Sequence, residues 1–202
     1  MKTYTFLSLL LFITCNLLGQ QISKKEYLLD ENGNSISLED FKAKLSLTYT
    51  YGIIENDTAA IAKIVLREEK GKLNQEQLKE IKSTLKALTN RSFEDDQTLV
   101  IHFFYKPDKN PNGSCIDNYT SDNKYHRFFK RNPEYIRFNI TEKDYKFKSK
   151  NVSEDTTNTL YKYFLYGGKC GNYMIIKPDG SYLKHIGEYI QKEIPKKLAE
   201  DW

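Results

Sequence analysis

Leu99-Val100-Ile101-His102-Phe103-Phe104-Tyr105 is the densest apolar run after the N-terminus. It leads into a polar stretch, Pro107-Asp108-Lys109-Asn110-Pro111-Asn112-Gly113-Ser114, and then Cys115. Seven residues that are apolar in both alternating sets predict a strand buried on both faces, as in the middle of an α/β sheet. The loop leaving such a strand is the usual seat of chemistry in that class. The rest of the chain is organised around this strand.

Downstream, Ser121 or Asp122 caps a short helix that runs to Arg131 and stops at Asn132-Pro133. Tyr135–Ile140 reads as a second strand. After a Lys-rich connection, Thr156–Tyr166 is expected to be a helix ended by Gly167-Gly168. Tyr173–Ile176 and Ser181–Ile186 flank Pro178-Asp179-Gly180, which predicts a hairpin. A helix follows from Glu188 to about Leu198, bent or shortened by Pro195.

Upstream, Asn32-Gly33 marks a turn, and Ser37 with Asp40 caps a short helix. Residues 46–72 alternate in the manner of strands. Asn74 and Gln77 form the frame of a capping box, and Leu78, Ile81, Leu85 and Leu88 make one apolar helix face.

The N-terminus has the form of an export signal. Lys2 precedes the apolar core Phe6–Ile13, too short to span a bilayer, and Gly19 offers a cut before Gln20 or Gln21. Thr14 and Ile13 before Cys15 are a poor context for lipid anchoring. No later segment is apolar enough to cross a membrane, so the expected location is the periplasm or the exterior. Once the leader is removed, Cys115 and Cys170 are the only cysteines, in a compartment where thiols more often pair than stay free.

The chain has 202 residues, a formal charge of +4, and 31 basic against 27 acidic residues interspersed along its length. That length suits one domain, and the mixed charge lacks the basic stripe of a nucleic-acid binder.

From Thr98 the order is strand, helix, strand, helix, strand, strand, helix. This order resembles the thioredoxin fold. Ile175-Ile176-Lys177-Pro178-Asp179-Gly180-Ser181-Tyr182 resembles the hairpin of its exported TlpA-like branch, and Asp30, Gly33, Ile36, Leu38, Phe41 and Lys42 resemble that branch's N-terminal hairpin and short helix. The resemblance implies an α/β fold: a βαβ-α-ββα core over 98–202, an N-terminal β/α extension over 20–97, and a signal over 1–19.

The departures bear on function. The family's Cys-x-x-Cys is missing, since Ile116, Asp117 and Asn118 follow Cys115. Dithiol exchange needs a second sulfur to resolve the mixed disulfide. The family's proline before the hairpin is replaced by Lys169-Cys170-Gly171-Asn172. Only Cys115 carries over, as the first cysteine of the former pair. The resemblance further implies that the loop before the hairpin approaches the loop after the first strand, which would bring Cys170 to Cys115 as a disulfide.

Two functions remain open: a binding or envelope-associated module for a protein or peptide partner, or a thiol-disulfide oxidoreductase using Cys115 and Cys170 as a distal pair. Cys115 is a reactive thiol in one and half of a structural bond in the other. Tyr161, Tyr163 and Tyr166, with Phe164, are either a recognition patch or core packing.

No cofactor motif is present. His102, His126 and His185 lack metal-ligand spacing. Asp108–Gly113 matches only the opening of a calcium loop, because Tyr119 stands where the closing acid belongs. Asp95-Asp96 reads as a solvent-facing turn.

Overall fold

A computed structural model describes residues 24–106, 115–168 and 170–202. The expected export signal, Cys15, residues 107–114 with the half calcium motif, and Lys169 lie outside the described residues. The chain is α/β, with two sheets and five helices among those residues.

The central strand, β5, is Thr98–Phe104, and every residue after Thr98 is buried. Its alternation divides the molecule into two layers. Leu99, Ile101 and Phe103 join Ile136, Phe138, Ile140, Met174 and Ile176 on one face. Val100 packs with Tyr173, Ile175 and Leu183 on the other. The neighbours of β5 are β6 (Tyr135–Thr141), parallel to it, and β8 (Asn172–Ile176), antiparallel. The predicted hairpin forms between β8 and β9 (Ser181–Ile186). With β4 (Glu68–Lys72) and β7 (Ser153–Glu154), the sheet order is β4-β9-β8-β5-β6-β7. β7 pairs only with Ile140 and Thr141, so the edge of β6 away from β5 has no strand beside it from Tyr135 to Asn139 among the described residues.

Helices cover both faces. The first face takes α2 (Gln75–Thr89). Its predicted capping box forms, with Asn74 and Gln77 exchanging hydrogen bonds, and Ile81 and Leu85 are fully buried. The other face takes α4 (Asn123–Arg131) and α5 (Ile194–Leu198), through Tyr125, Ile194 and Leu198. Asp122 caps α4 by accepting from the Lys124 and Tyr125 amides. A short helix, α3 (Cys115–Thr120), precedes it. No helix among the described residues is long and apolar enough to cross a membrane.

A second sheet, in the order β1-β3-β2, consists of β1 (Lys25–Leu29), β2 (Tyr49–Glu55) and β3 (Ala59–Leu66). The turn at Asn32-Gly33 has Gly33 at φ +90° and leads to α1 (Leu38–Lys44), capped by Ser37 as predicted. β1 pairs in parallel with β3 rather than forming a regular hairpin. Gly52 lets β2 meet the segment that precedes β8, because a side chain there would put its Cβ 1.8 Å from the Tyr166 carbonyl oxygen.

Two expected helices differ. Thr156–Tyr166 holds only one 3₁₀ turn, Tyr161–Tyr163. The buried Asp155 carboxylate takes the amides of Thr159, Leu160 and Tyr161, while Asn158 and Tyr166 are left-handed. Leu160 and Phe164 still reach the core, so the apolar spacing records burial without a helix. At the C-terminus, the helix expected from Glu188 is a 3₁₀ turn, Gln191–Glu193, followed by α5 with Pro195 in its first turn, where a missing N–H costs nothing.

Candidate functional site

Cys115 opens α3 just beyond β5, and Cys170 lies in the loop entering β8. Antiparallel neighbours put the exit of one strand beside the start of the other, so the two loops share one end of the sheet. Cys115 and Cys170 form a disulfide with Cα atoms 5.5 Å apart, across a sequence separation of 55. Both are half-buried. Cys170 packs against a cluster containing Phe104, Ile116 and Tyr119, with Tyr189 beside it.

Asn172 holds this corner and was not singled out by sequence. Its Nδ2 donates to the carbonyls of Phe103 (3.2 Å) and Gly168 (2.8 Å). Its Oδ1 accepts from the amides of Gly168 (2.8 Å) and Gly187 (3.1 Å). All four hydrogen-bonding positions of a buried amide are thus used. They tie the Cys170 loop to β5 and to the end of β9. The sequence clue was only an Asn beside glycines ahead of an apolar strand.

Beneath the disulfide lies a closed polar network. His102 is fully buried, with Nδ1 2.5 Å from Tyr189 Oη and Nε2 2.9 Å from Tyr125 Oη. Burial, and then the nearby Arg137 charge, push His102 well below the usual histidine range. Burial pushes the Tyr125 and Tyr189 hydroxyls well up. A neutral imidazole has one donor and one acceptor, so one tyrosine donates to it and the other accepts from it. Tyr189 stacks on Tyr119 with ring centres 4.3 Å apart, and Tyr119 Oη donates to the Tyr189 carbonyl while accepting from its amide. His102 is therefore a core histidine with a hydrogen-bond partner on each ring nitrogen.

A cleft of about 520 Å³ opens beside Cys170, between the two sheets. Its walls include Tyr51 and Ile53 of β2, the Gly167-Gly168 backbone, Arg67 and Glu188. One wall of the disulfide thus faces a space of ligand size, and the rest faces packed side chains.

The tyrosines proposed as a patch go to three places. Tyr161 lies against Phe103 and Tyr105 in the core layer. Tyr163 donates to Glu80 on α2, 3.0 Å away, which fastens this segment to the helix. Tyr166 takes the Lys63 ammonium over its ring at 5.5 Å and meets Gly52.

Asp95 is exposed and bound by Lys82 at 3.1 Å, which holds its carboxyl below the usual range. Among the described residues, no three of His, Cys, Asp and Glu group as metal ligands. Comparisons with protein-family models, with curated proteins and with solved structures found no match to this chain.

Proposed function

We propose that the chain is an exported thioredoxin-like protein whose redox position is closed by a structural disulfide, and that it acts as a binding or envelope-associated module. The strand order β6-β5-β8-β9, with one parallel and two antiparallel pairings, supports the fold assignment. So does the position of Cys115, at the start of the helix after the central strand. The segment between β6 and β8 departs from the family pattern, since a 3₁₀ turn replaces its helix.

The observation that carries the function is the pairing itself. Cys115 is bonded to a cysteine 55 residues away, and the chain has no third cysteine outside the leader to resolve a mixed disulfide. Non-reducing mass spectrometry of the secreted protein should give one intramolecular disulfide and a mature start at Gln20 or Gln21. The same protein should leave insulin unreduced in the presence of dithiothreitol beyond the reagent's own rate.

The cleft beside Cys170 favours one second reading, a thiol-disulfide oxidoreductase that uses the distal pair. Insulin reduction above background that disappears in Cys115→Ser would replace the first reading with this one.

A further inference from the structure

A second concavity, about 450 Å³, lies at the edge of β6 that no strand covers. Its lining includes Arg91, His126, Lys130, Arg137 and Lys150, and no Asp or Glu. None of these five belongs to an ion pair among the described residues. The lysines elsewhere that do form ion pairs meet carboxylates; here the cations are left together.

Arg137 is held in place from several sides. Its guanidinium lies over the rings of Tyr125 and Phe129, 5.3 and 5.6 Å from their centres. Its Nη2 donates to His126 Nδ1 at 2.8 Å. His126 can accept there because its Nε2–H is committed to the Thr120 carbonyl, also at 2.8 Å. Arg91 reaches the same strand and donates from Nη1 to the Arg137 carbonyl. Arg137 Nη1 is then buried with no hydrogen-bond partner. Burial pulls the Arg137 guanidinium below its ordinary value.

Asn139, two residues along the same strand face, is 4% exposed and lines the same pocket. Its Nδ2 donates to the Asn151 carbonyl at 3.1 Å, which fixes the amide's orientation. Its Oδ1 is buried and unpartnered. Two residues that line the pocket therefore each carry a buried polar atom without a hydrogen-bond partner among the described residues, a cationic donor on Arg137 and a neutral acceptor on Asn139. A buried group of either kind is costly until something answers it.

Charged residues on a bare sheet edge commonly serve to block pairing with another strand. Such guards extend into solvent. Arg137 Nη1 instead has almost no exposed surface.

The geometry points to this pocket as a binding site for a small oxyanion that keeps a hydroxyl on its charged group, namely hydrogen phosphate or a phosphate monoester. Arg137 Nη1 meets a charged oxygen and Asn139 Oδ1 accepts from the P–OH. Arg137 and Asn139 alternate along β6, so their side chains leave the same face of the strand. Lys130, Lys150 and Arg91 supply further positive charge at the rim. Sulfate has the charge and only acceptors, so it would leave Asn139 Oδ1 facing an oxygen. The volume exceeds what one phosphate fills, leaving room for the alcohol part of an ester. This inference does not depend on the redox reading of the cysteines.

The test is calorimetric titration of the mature protein with inorganic phosphate and, separately, sulfate at matched ionic strength. At about pH 6 phosphate and its monoesters retain a P–OH. Saturable phosphate binding is expected, with sulfate weaker by about tenfold or more. Arg137→Gln should weaken phosphate by about tenfold. Lys150→Gln, an exposed change that spares the fold, should weaken it about twofold. Asn139→Leu should erase the preference over sulfate. Tighter binding of glycerol 3-phosphate than of inorganic phosphate would identify the ester, and the reverse the free ion. No saturable phosphate binding, equal affinity for sulfate, or phosphate affinity unchanged in both Arg137→Gln and Lys150→Gln would overturn the assignment.

Discussion

The loops around the disulfide and the pocket at the β6 edge belong to one sheet and treat buried polar groups in opposite ways. At the disulfide end, Asn172 uses all four of its hydrogen-bonding positions, and His102 has a tyrosine on each nitrogen. At the edge pocket, Arg137 Nη1 and Asn139 Oδ1 have no partners among the described residues, and the cations around them form no ion pair with a described carboxylate. The first region is built to stay shut. The second keeps unsatisfied atoms in a space of ligand size, which costs stability and makes sense where a ligand supplies the missing partners. A polar group's burial therefore says little about its role until its partners are counted.

The comparison can be broken by measuring what each region contributes to folding. The largest effect should come from the disulfide. Replacing Cys115 and Cys170 by serine together should lower unfolding free energy by about 4 kcal/mol for a loop of this length, read from denaturant melts. A loss near zero would mean that the bond is not structural, and would reopen the exchange reading.

Next comes Asp155→Ala. Three amides and the Thr157 hydroxyl lose a buried acceptor, and Leu160 and Phe164 lose the turn that places them. The expected cost is about 3 kcal/mol, since several hydrogen bonds to a charged group go at once. His102→Leu should cost about 2 kcal/mol or more, because it strands the Tyr125 and Tyr189 hydroxyls in the core.

His102 also sets a pH dependence. It stays neutral when folded, because burial holds it well below the ordinary value, whereas the unfolded chain takes up the proton near pH 6.5. The unfolded state then binds more protons, so stability falls as pH drops below about 6.5. His185, also lowered by burial, adds in the same direction. Melting temperatures should decline from about pH 7 to about pH 5, and His102→Gln should flatten that slope.

The smallest effect should be at the edge pocket. Arg137→Met removes a guanidinium that no carboxylate balances among the described residues, and should change stability by less than about 1 kcal/mol although its Nη1 is buried. A large loss there would make Arg137 a structural residue and erase the contrast.

Much of the frame was legible in the sequence. The β5 run, the Asn74 capping box, the Ser37 cap and the 173–186 hairpin rest on local rules of periodicity and capping. Those rules failed at 156–166. There the tyrosines and Leu160 have helical spacing, but the buried carboxylate of Asp155, the residue just before the segment, captured the amides a helix would have used. The pairing of Cys115 with Cys170 was reached through family resemblance and cysteine count, and the structure has the bond. The pocket at β6 left no trace in any motif, because Arg91, His126 and Lys150 are brought to Arg137 and Asn139 of β6 from three other parts of the chain.

By itself, then, the sequence determined the α/β alternation, the buried central strand and the helix caps, because each depends on residues a few positions apart. Only the tertiary structure decided which polar groups are answered and which are not. Asn172 and Asn139 are both buried asparagines beside the same central strand. One is satisfied by backbone of the central strand and of two loops, and the other has an oxygen left over on a strand whose far edge is uncovered among the described residues. Hydrogen-bond satisfaction is a property of neighbours in space, and those neighbours are distant in the chain.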